Sequence, residues 1–512
     1  MNKNIKNIAA KSSVIGFIAL LFVSCTDFLD KNPTTQISEP TFWKTRLDAD
    51  MALSGVYARL NCNTFNFEGV YALDIMAGDA NEGAQSLGSS STGTFALGIM
   101  TSTSGGLLAD VYNQCYQGIS TCNSFLANID KVSFPDADKT IYKAEVYFMR
   151  ALFYFKLTES YGGVVIYTTP PTIDNSKIAK STQSEVIAQV ISDLNLAIAG
   201  LPNTAYNGHA VKGSALALKS RVLMFASSNI APDWPGAAAA AKQVMTDGVF
   251  SLYTGKWKDM FLAIGQTPNS EIMFSTKYLN PDNSSQQDIR ILWHGIWNPR
   301  TELRDAFECT DGLPITTSPL YNPANWQLNR DPRLNQTMRN FTDKAVLANG
   351  SLVAFAYNGI SQTGLEPAKG GNVETLPIDY STKSEQDWIL IRYAEVLLNF
   401  AEATNEVSGP TAEVYQAVNS VRARSSMPNL PAGLTQATMR ARIWNERRVE
   451  FAFEGMRYRD IKRWKLAEVY INTLVEPGSG VHRVFDPSKH YVWPFPQSEI
   501  DVNPQLVQNP GY

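Results

Sequence analysis

Histidine and cysteine are scarce in this chain, with four His and five Cys in 512 residues and no Cys-x-x-Cys or His-Glu-x-x-His motif. That scarcity argues against a zinc site, whose tetrahedral shell is built from closely spaced Cys and His. There is no Gly-x-Ser-x-Gly elbow and no phosphate-cradling glycine loop, so no enzyme class or cofactor announces itself by motif. Charge of one sign is also lacking. The formal net charge is −4, evenly spread, with no basic tract beyond the first residues, which excludes nucleic acid as a partner. No low-complexity tail is present. Long apolar runs are missing too: Val14–Val23 is about half the ~20 residues a helix needs to cross a bilayer.

That short run is informative for what surrounds it. Lys3, Lys6 and Lys11 precede it, and Ser24-Cys25 follows, the layout of a bacterial secretory signal whose cleavage leaves a lipid-bearing cysteine. Phe22 stands where Leu is commoner in such signals. The expectation is a signal over residues 1–24, lipidation at Cys25, a tether to residue 40 and a body over 41–512. Of the other cysteines (Cys62, Cys115, Cys122, Cys309), Cys115 and Cys122 are seven apart in a predicted helix, ~10.5 Å along its axis. A disulfide needs Cα atoms within roughly 7 Å, so free buried thiols are expected.

Hydrophobic residues make up 44% of the chain, enough for a large core, and the body reads mainly α, with helices in pairs. Ala144, Tyr147, Phe148, Ala151, Leu152 and Phe155 recur at three-and-four spacing and end at Tyr161-Gly162-Gly163. Further helices are predicted over 184–199 with Ser184 as cap, 213–227, 236–247, 389–407 and 411–424. Hairpins of this size resemble divergent tetratricopeptide repeats, placed about 41–60, 107–250 and 388–425. Long irregular insertions, about 61–106 and 252–387, separate them, and a C-terminal segment follows from 426. Loops of that length are functional or disordered. Their aromatic content argues against disorder, so they read as excursions that build a binding face.

Two constellations draw the eye. Glu446, Arg447, Glu450, Glu454, Arg457, Asp460 and Arg463 crowd the C-terminal segment. Paired carboxylates can hydrolyse a glycosidic bond when held roughly 5–9.5 Å apart. Acids alternating with arginines are instead held ionised, the opposite of what a general acid needs, and the cluster reads as an ion-pair lattice. The second constellation is aromatic. A pyranose ring offers C–H groups to a flat π face, while its hydroxyls need polar partners nearby. Trp293, His294 and Trp297, in a stretch broken by Gly295 and Pro299, fit that description, as do Phe95, Asp79 and Asn81 in the first insertion. Trp293 and Trp297 fit a core role equally well. Trp43, Trp388, Trp444 and Trp464 are read as core.

A family resemblance runs along nearly the whole chain in order. Cys25-Thr26-Asp27-Phe28-Leu29-Asp30 with Thr41-Phe42-Trp43, Ala151–Phe155 with Tyr161-Gly162-Gly163, Asp311–Ile315 and Arg330–Leu334 are its first markers. Ile391–Leu398, Glu446–Glu450, Glu454–Arg457, Asp460–Trp464 and the ending Gln508–Tyr512 complete it. Together these resemble the SusD/RagB lipoproteins of Bacteroidetes. The resemblance implies a helical-repeat protein lipid-anchored on the outer face of the outer membrane. Its partner would be a SusC-like TonB-dependent transporter, to which it delivers captured glycan. It also implies that ligand-contacting aromatics fall in the two insertions. A peptide-capturing member of the same family is the alternative, and a surface glycoside hydrolase sharing only the tether is the remaining one. No catalytic residue and no metal ligand is assigned.

Overall fold

The computed structural model describes residues 42–82, 90–295 and 297–512. Cys25, with the signal and tether around it, lies outside the described residues. Among the described residues no helix is long and apolar enough to cross a membrane. The principal helices are α1 (Arg46–Tyr57), α2 (Phe67–Ala77), α3 (Ser91–Leu97), α4 (Leu107–Asn128), α5 (Asp136–Tyr161), α6 (Gln183–Gly200) and α7 (Lys212–Leu223). They continue with α8 (Trp234–Asp247), α9 (Gln287–Leu292), α10 (Tyr393–Ser408), α11 (Ala412–Arg424), α12 (Gln436–Glu450) and α13 (Met456–Arg463).

The repeats pack α4 on α5, α5 on α6, α7 on α8, α8 on α10 and α10 on α11. α5 is buried on nearly every side from Ala144 onward, which its continuous run Val146–Leu157 required. Gly118 lets α4 approach it closely, since a Cβ there would sit 2.5 Å from the Phe153 ring. Each large apolar side chain buried in this seam is worth about 1.5–3 kcal/mol. A polar pin crosses it. Arg150 on α5 donates to both carboxylate oxygens of Asp193 on α6 (2.8 and 2.7 Å) and to Asn123 on α4 (2.8 Å).

Several boundaries differ from the sequence reading for local reasons. α6 is capped by Thr182, not Ser184: Thr182 and Glu185 form a reciprocal capping box, which ties up one more backbone donor than a lone serine would. α7 stops at Leu223 rather than 227, because the following chain folds back and Asp233 N–H donates to the Leu223 carbonyl (2.8 Å). α8 begins at Trp234, capped by Asp233, with Pro235 in its first turn. Ile389–Arg392 belongs to a strand and α10 starts only at Tyr393. Residues 61–106 are not irregular throughout. Their Asn and Ser residues are helix caps, Asn66 for α2 and Ser90 for α3, and Gly78 (φ +85°) and Gly98 (φ +73°) end those helices in the left-handed region. Cys62, Cys115, Cys122 and Cys309 are free thiols.

Strands enter only as short antiparallel pairs: β1 (Ala80–Glu82), β2 (Ile272–Thr276), β3 (Trp297–Pro299), β4 (Met338–Asn340), β5 (Lys344–Val346), β6 (Leu352–Ala354), β7 (Leu365–Pro367) and β8 (Trp388–Arg392). They pair β1–β3, β2–β8, β4–β7 and β5–β6. The register Asn81↔Asn298 and Glu82↔Trp297 joins the first insertion to the second. Ser275↔Ile389 and Thr276↔Trp388 join the second insertion to the start of α10. A main core fills the repeats. A second, containing Phe67, Tyr71, Leu292, Phe307, Trp388 and Phe453, lies beneath the insertions, with Trp293 and Trp297 at its edge.

Candidate functional site

The charged C-terminal cluster is interior. Glu450, with no exposed surface, receives Arg392 (2.5 Å) and Arg333 (2.8 Å) as well as Arg424. Glu446 binds Arg333 (2.6 Å) and Arg422 (3.0 Å), Glu454 binds Arg392 (2.7 Å) and Lys369 (2.5 Å), and Asp460 binds Arg447 and Arg463 (both 2.9 Å). Burial by itself would raise the Glu450 pKa, but Arg424, Arg392 and Arg333 outweigh it and hold the carboxyl well below its ordinary range. Each of these carboxylates is engaged by at least one cation in the interior. Apart from Asp460–Arg463, one helical turn apart, the partners come from other segments. Arg442 reaches Glu308 (2.5 Å) rather than Glu446, and Arg447 reaches Asp460 rather than Glu450.

The aromatic stretch behaves differently. α9 ends at Trp293, and a turn bonds the Trp293 and His294 N–H groups to the Ile289 carbonyl (3.2 and 3.0 Å). The turn leaves the Trp293 ring half-buried, with Tyr380 edge-on to it at 4.7 Å; Tyr380 is 72% exposed. Beside it, His294 Nδ1 accepts from Arg290 (2.8 Å), itself fixed by Glu68 (2.7 Å). Burial, and then the Arg290 charge, push the imidazole pKa down to about 4, so the ring is neutral at neutral pH. With Nδ1 accepting, Nε2 carries the proton as a donor.

Adjoining this pair is a ladder absent from the sequence reading. Phe341 stacks on Tyr357 (4.7 Å, 20°), and Tyr357 on Phe355 (5.4 Å, 19°), all three part-exposed. Arg339 holds it from beneath, donating to the Tyr357 hydroxyl (2.9 Å) and lying 4.0 Å from the Phe355 centroid. Asn358 N–H donates to the Trp293 carbonyl (2.7 Å), which docks ladder and tryptophan side by side. The signal for it was Phe355-x-Tyr357 after a strand, since a period of two puts both rings on one face. The face therefore offers flat π surfaces and a neutral N–H donor. Glu366 is an acid pushed up to about 8 by burial, but it is 1% exposed and accepts from Asn298 (2.8 Å).

The other sequence candidates are corrected by burial. Phe95 is 5% exposed on α3 and packs edge-on against Trp493 (4.7 Å). Asp79 and Asn81 have no exposed surface. Asp79 pairs with Arg448 (2.5 Å), and Asn81, at the centre of β1, donates to Gln362 (3.2 Å). These residues mark where the insertions meet the scaffold. Trp297 is the floor rather than the face: Tyr71 stacks on it (5.5 Å, 20°) and the Arg290 guanidinium lies over it (5.6 Å). Trp388 is core as expected, whereas Trp444 and Trp464 are only partly buried and line a cleft.

Comparison with known proteins gives one consistent result. Residues 27–224 match the family model described as starch-binding associating with outer membrane, and residues 270–512 match that of the SusD family. SusD-like protein P2 of Formosa agariphila is 27% identical, over 98% of this chain and 100% of the relative. A solved SusD-like carbohydrate-binding protein of Bacteroides fragilis superposes with a TM-score of 0.80 at 25% identity, over 91% of this chain and 100% of that one. A laminarin-binding SusD-like protein shares the fold at a TM-score of 0.68 and 24% identity, over 92% and 100%.

Proposed function

The chain belongs to the SusD/RagB family of Bacteroidetes, and from that premise we propose that it captures oligo- or polysaccharide on the face around Trp293 and passes it to a SusC-like TonB-dependent transporter. In this reading it is a binding protein, not an enzyme, held on the exterior of the outer membrane by lipid at Cys25. The observation that carries the glycan reading is the aromatic face itself. Trp293 with Tyr380, and the Phe341–Tyr357–Phe355 ladder, present flat rings next to a neutral imidazole donor. Sugar rings need that combination, and an acidic or basic ligand does not. The carbohydrate- and laminarin-binding descriptions of structural relatives support the same ligand class. The engagement of the C-terminal acids by arginine supports a non-catalytic role.

Calorimetry against a panel of neutral and charged glycans and of oligopeptides tests this. One glycan class should bind, Tyr380→Ala should weaken it, and no new reducing ends should form. Binding confined to peptides would replace glycan by peptide as the cargo. Release of reducing ends would make the protein a hydrolase. Cys25→Ala should free the protein from outer membranes that lack its transporter, since no helix among the described residues could hold it there.

A further inference from the structure

A separate cavity, of ≈ 80 Å³, lies where α5, the end of α7 and α13 meet. By this measure a water needs roughly 10–15 Å³, so the cavity takes a group of several heavy atoms. Its walls are unusually cationic. Arg221 is ion-paired with Glu395 (2.6 Å), Arg447 with Asp460 (2.9 Å), Arg463 with Glu402 (2.6 Å) and Arg459 with Glu159 (2.9 Å). Two lysines are left over. Lys156 is 4% exposed and has no hydrogen-bond or ion-pair partner among the described residues. Lys462, on α13, donates to the Glu159 carbonyl at 3.3 Å and lies 4.9 Å from the Tyr458 ring centroid, with no ion pair among the described residues. Burying an ammonium group without a counter-charge is strongly unfavourable. Each lining arginine has an acid partner, and these two lysines line the same space without an ion pair among the described residues.

We propose that this cavity is a binding site for a tetrahedral oxyanion of the sulfate or phosphate type, held between Lys156 and Lys462. Glu159, which also lines the cavity, is engaged by Arg459, so a doubly charged group matches two ammonium ions that have no ion pair of their own, and an uncharged sugar hydroxyl does not. Burial lowers both lysine pKa values, to about 8 for Lys156, where Arg459 adds to it and Glu159 opposes it, and to about 7 for Lys462, where Glu159 opposes it and Lys156 adds to it. The way in is visible. Ser227, Ser228 and Arg463 line both this cavity and the neighbouring cleft of Trp234, Trp444 and Trp464. An oxyanion could therefore arrive as a free ion or as an ester on a sugar ring seated against those tryptophans. The site shares no residue with the Trp293 face, so it stands or falls independently of the function proposed above.

The test is calorimetric titration of the mature chain at fixed ionic strength with sodium sulfate, galactose 6-sulfate and galactose. Sulfate should saturate one site per chain, and Lys156→Met should weaken it at least tenfold. Lys462→Met, at the part-buried rim, should do the same, and it serves if the Lys156 variant fails to fold. Galactose 6-sulfate binding at least tenfold more tightly than sulfate, with the gain lost in Trp234→Ala, would identify the source as a sugar ester. Equal affinity would identify it as the free ion. No saturable sulfate binding by the wild type, or binding unchanged in both methionine variants, would overturn the proposal, whatever the Trp293 face does with neutral glycans.

Discussion

The C-terminal ion lattice and the aromatic face around Trp293 use opposite chemistries and end in opposite states. In the lattice, Glu446, Glu450, Glu454 and Asp460 are surrounded by arginines and buried, with each carboxylate paired. The aromatic face has few charges, yet Tyr380 projects into solvent and its neighbours keep part of their rings uncovered. Dense charge looks like chemistry in a sequence, but a buried charge has to be compensated before the chain can fold, and compensation removes its reactivity. Aromatic surface left open carries no such obligation. In this protein the quieter region is the one that leaves ring surface open.

The largest effect should come from breaking the lattice. Arg392→Met removes the shared partner of Glu271, Glu450 and Glu454 and should cost about 3–5 kcal/mol in denaturant unfolding, with glycan affinity of the folded fraction unchanged. Lost affinity at intact stability would instead make the lattice part of the site. The same region sets the acid limit. Glu450, Glu454 and Asp460 have lowered pKa values in the fold, so their stabilisation is present above the unfolded carboxylate range and is lost as pH falls below it. Melting temperature should therefore drop steeply below about pH 4.

Glu366 sharpens the contrast from the other side, as a buried acid that Arg339 influences but with which no cation forms an ion pair among the described residues. Its folded pKa is raised to about 8 from an ordinary value of 4.5, so folding penalises its ionised form. The wild type should lose stability relative to Glu366→Gln as pH rises from 4.5 to 8 and hold a constant deficit above that. Melting curves of the two proteins at pH 5 and pH 8 check it, and an equal difference at both would refute the assignment. Smaller effects separate face from floor. Trp297→Ala should cost about 3 kcal/mol of stability, because Tyr71 and Phe67 pack on it. Tyr380→Ala should shift stability by less than ~0.5 kcal/mol. Its glycan affinity should fall by about 1 kcal/mol, roughly fivefold, in calorimetry. Smallest of all, Lys242→Ala breaks an exposed pair with Glu413 and should change stability by less than ~1 kcal/mol and binding not at all.

The helical pairs were legible because a 3.6-residue apolar period survives in the chain, as Ala144, Phe148, Ala151 and Phe155 show. The site was legible only in part. Trp293 and His294 are part-exposed, whereas Phe95, Asp79 and Asn81, picked from a loop-like composition, are buried in a segment where Asn66 and Ser90 cap helices and Gly78 and Gly98 end them. Tyr380 and Phe341 are far from Trp293 in sequence, and nothing local connects them. Spacing also misled over the ion pairs. Residues one helical turn apart have the reach to pair, yet Arg333 and Arg392 arrive from distant segments with better geometry and displace the local partners.

The sequence by itself determined the repeat helices, the scarcity of metal-binding chemistry and the order of family markers, because each is written in local composition, spacing or short motifs. Tertiary structure alone decided which aromatic rings stay open, which acids are paired and which lysines lack an ion pair among the described residues. Those outcomes depend on what segments hundreds of residues apart bring to the same point. Exposure and charge compensation are properties of that meeting, and no single stretch of chain contains them.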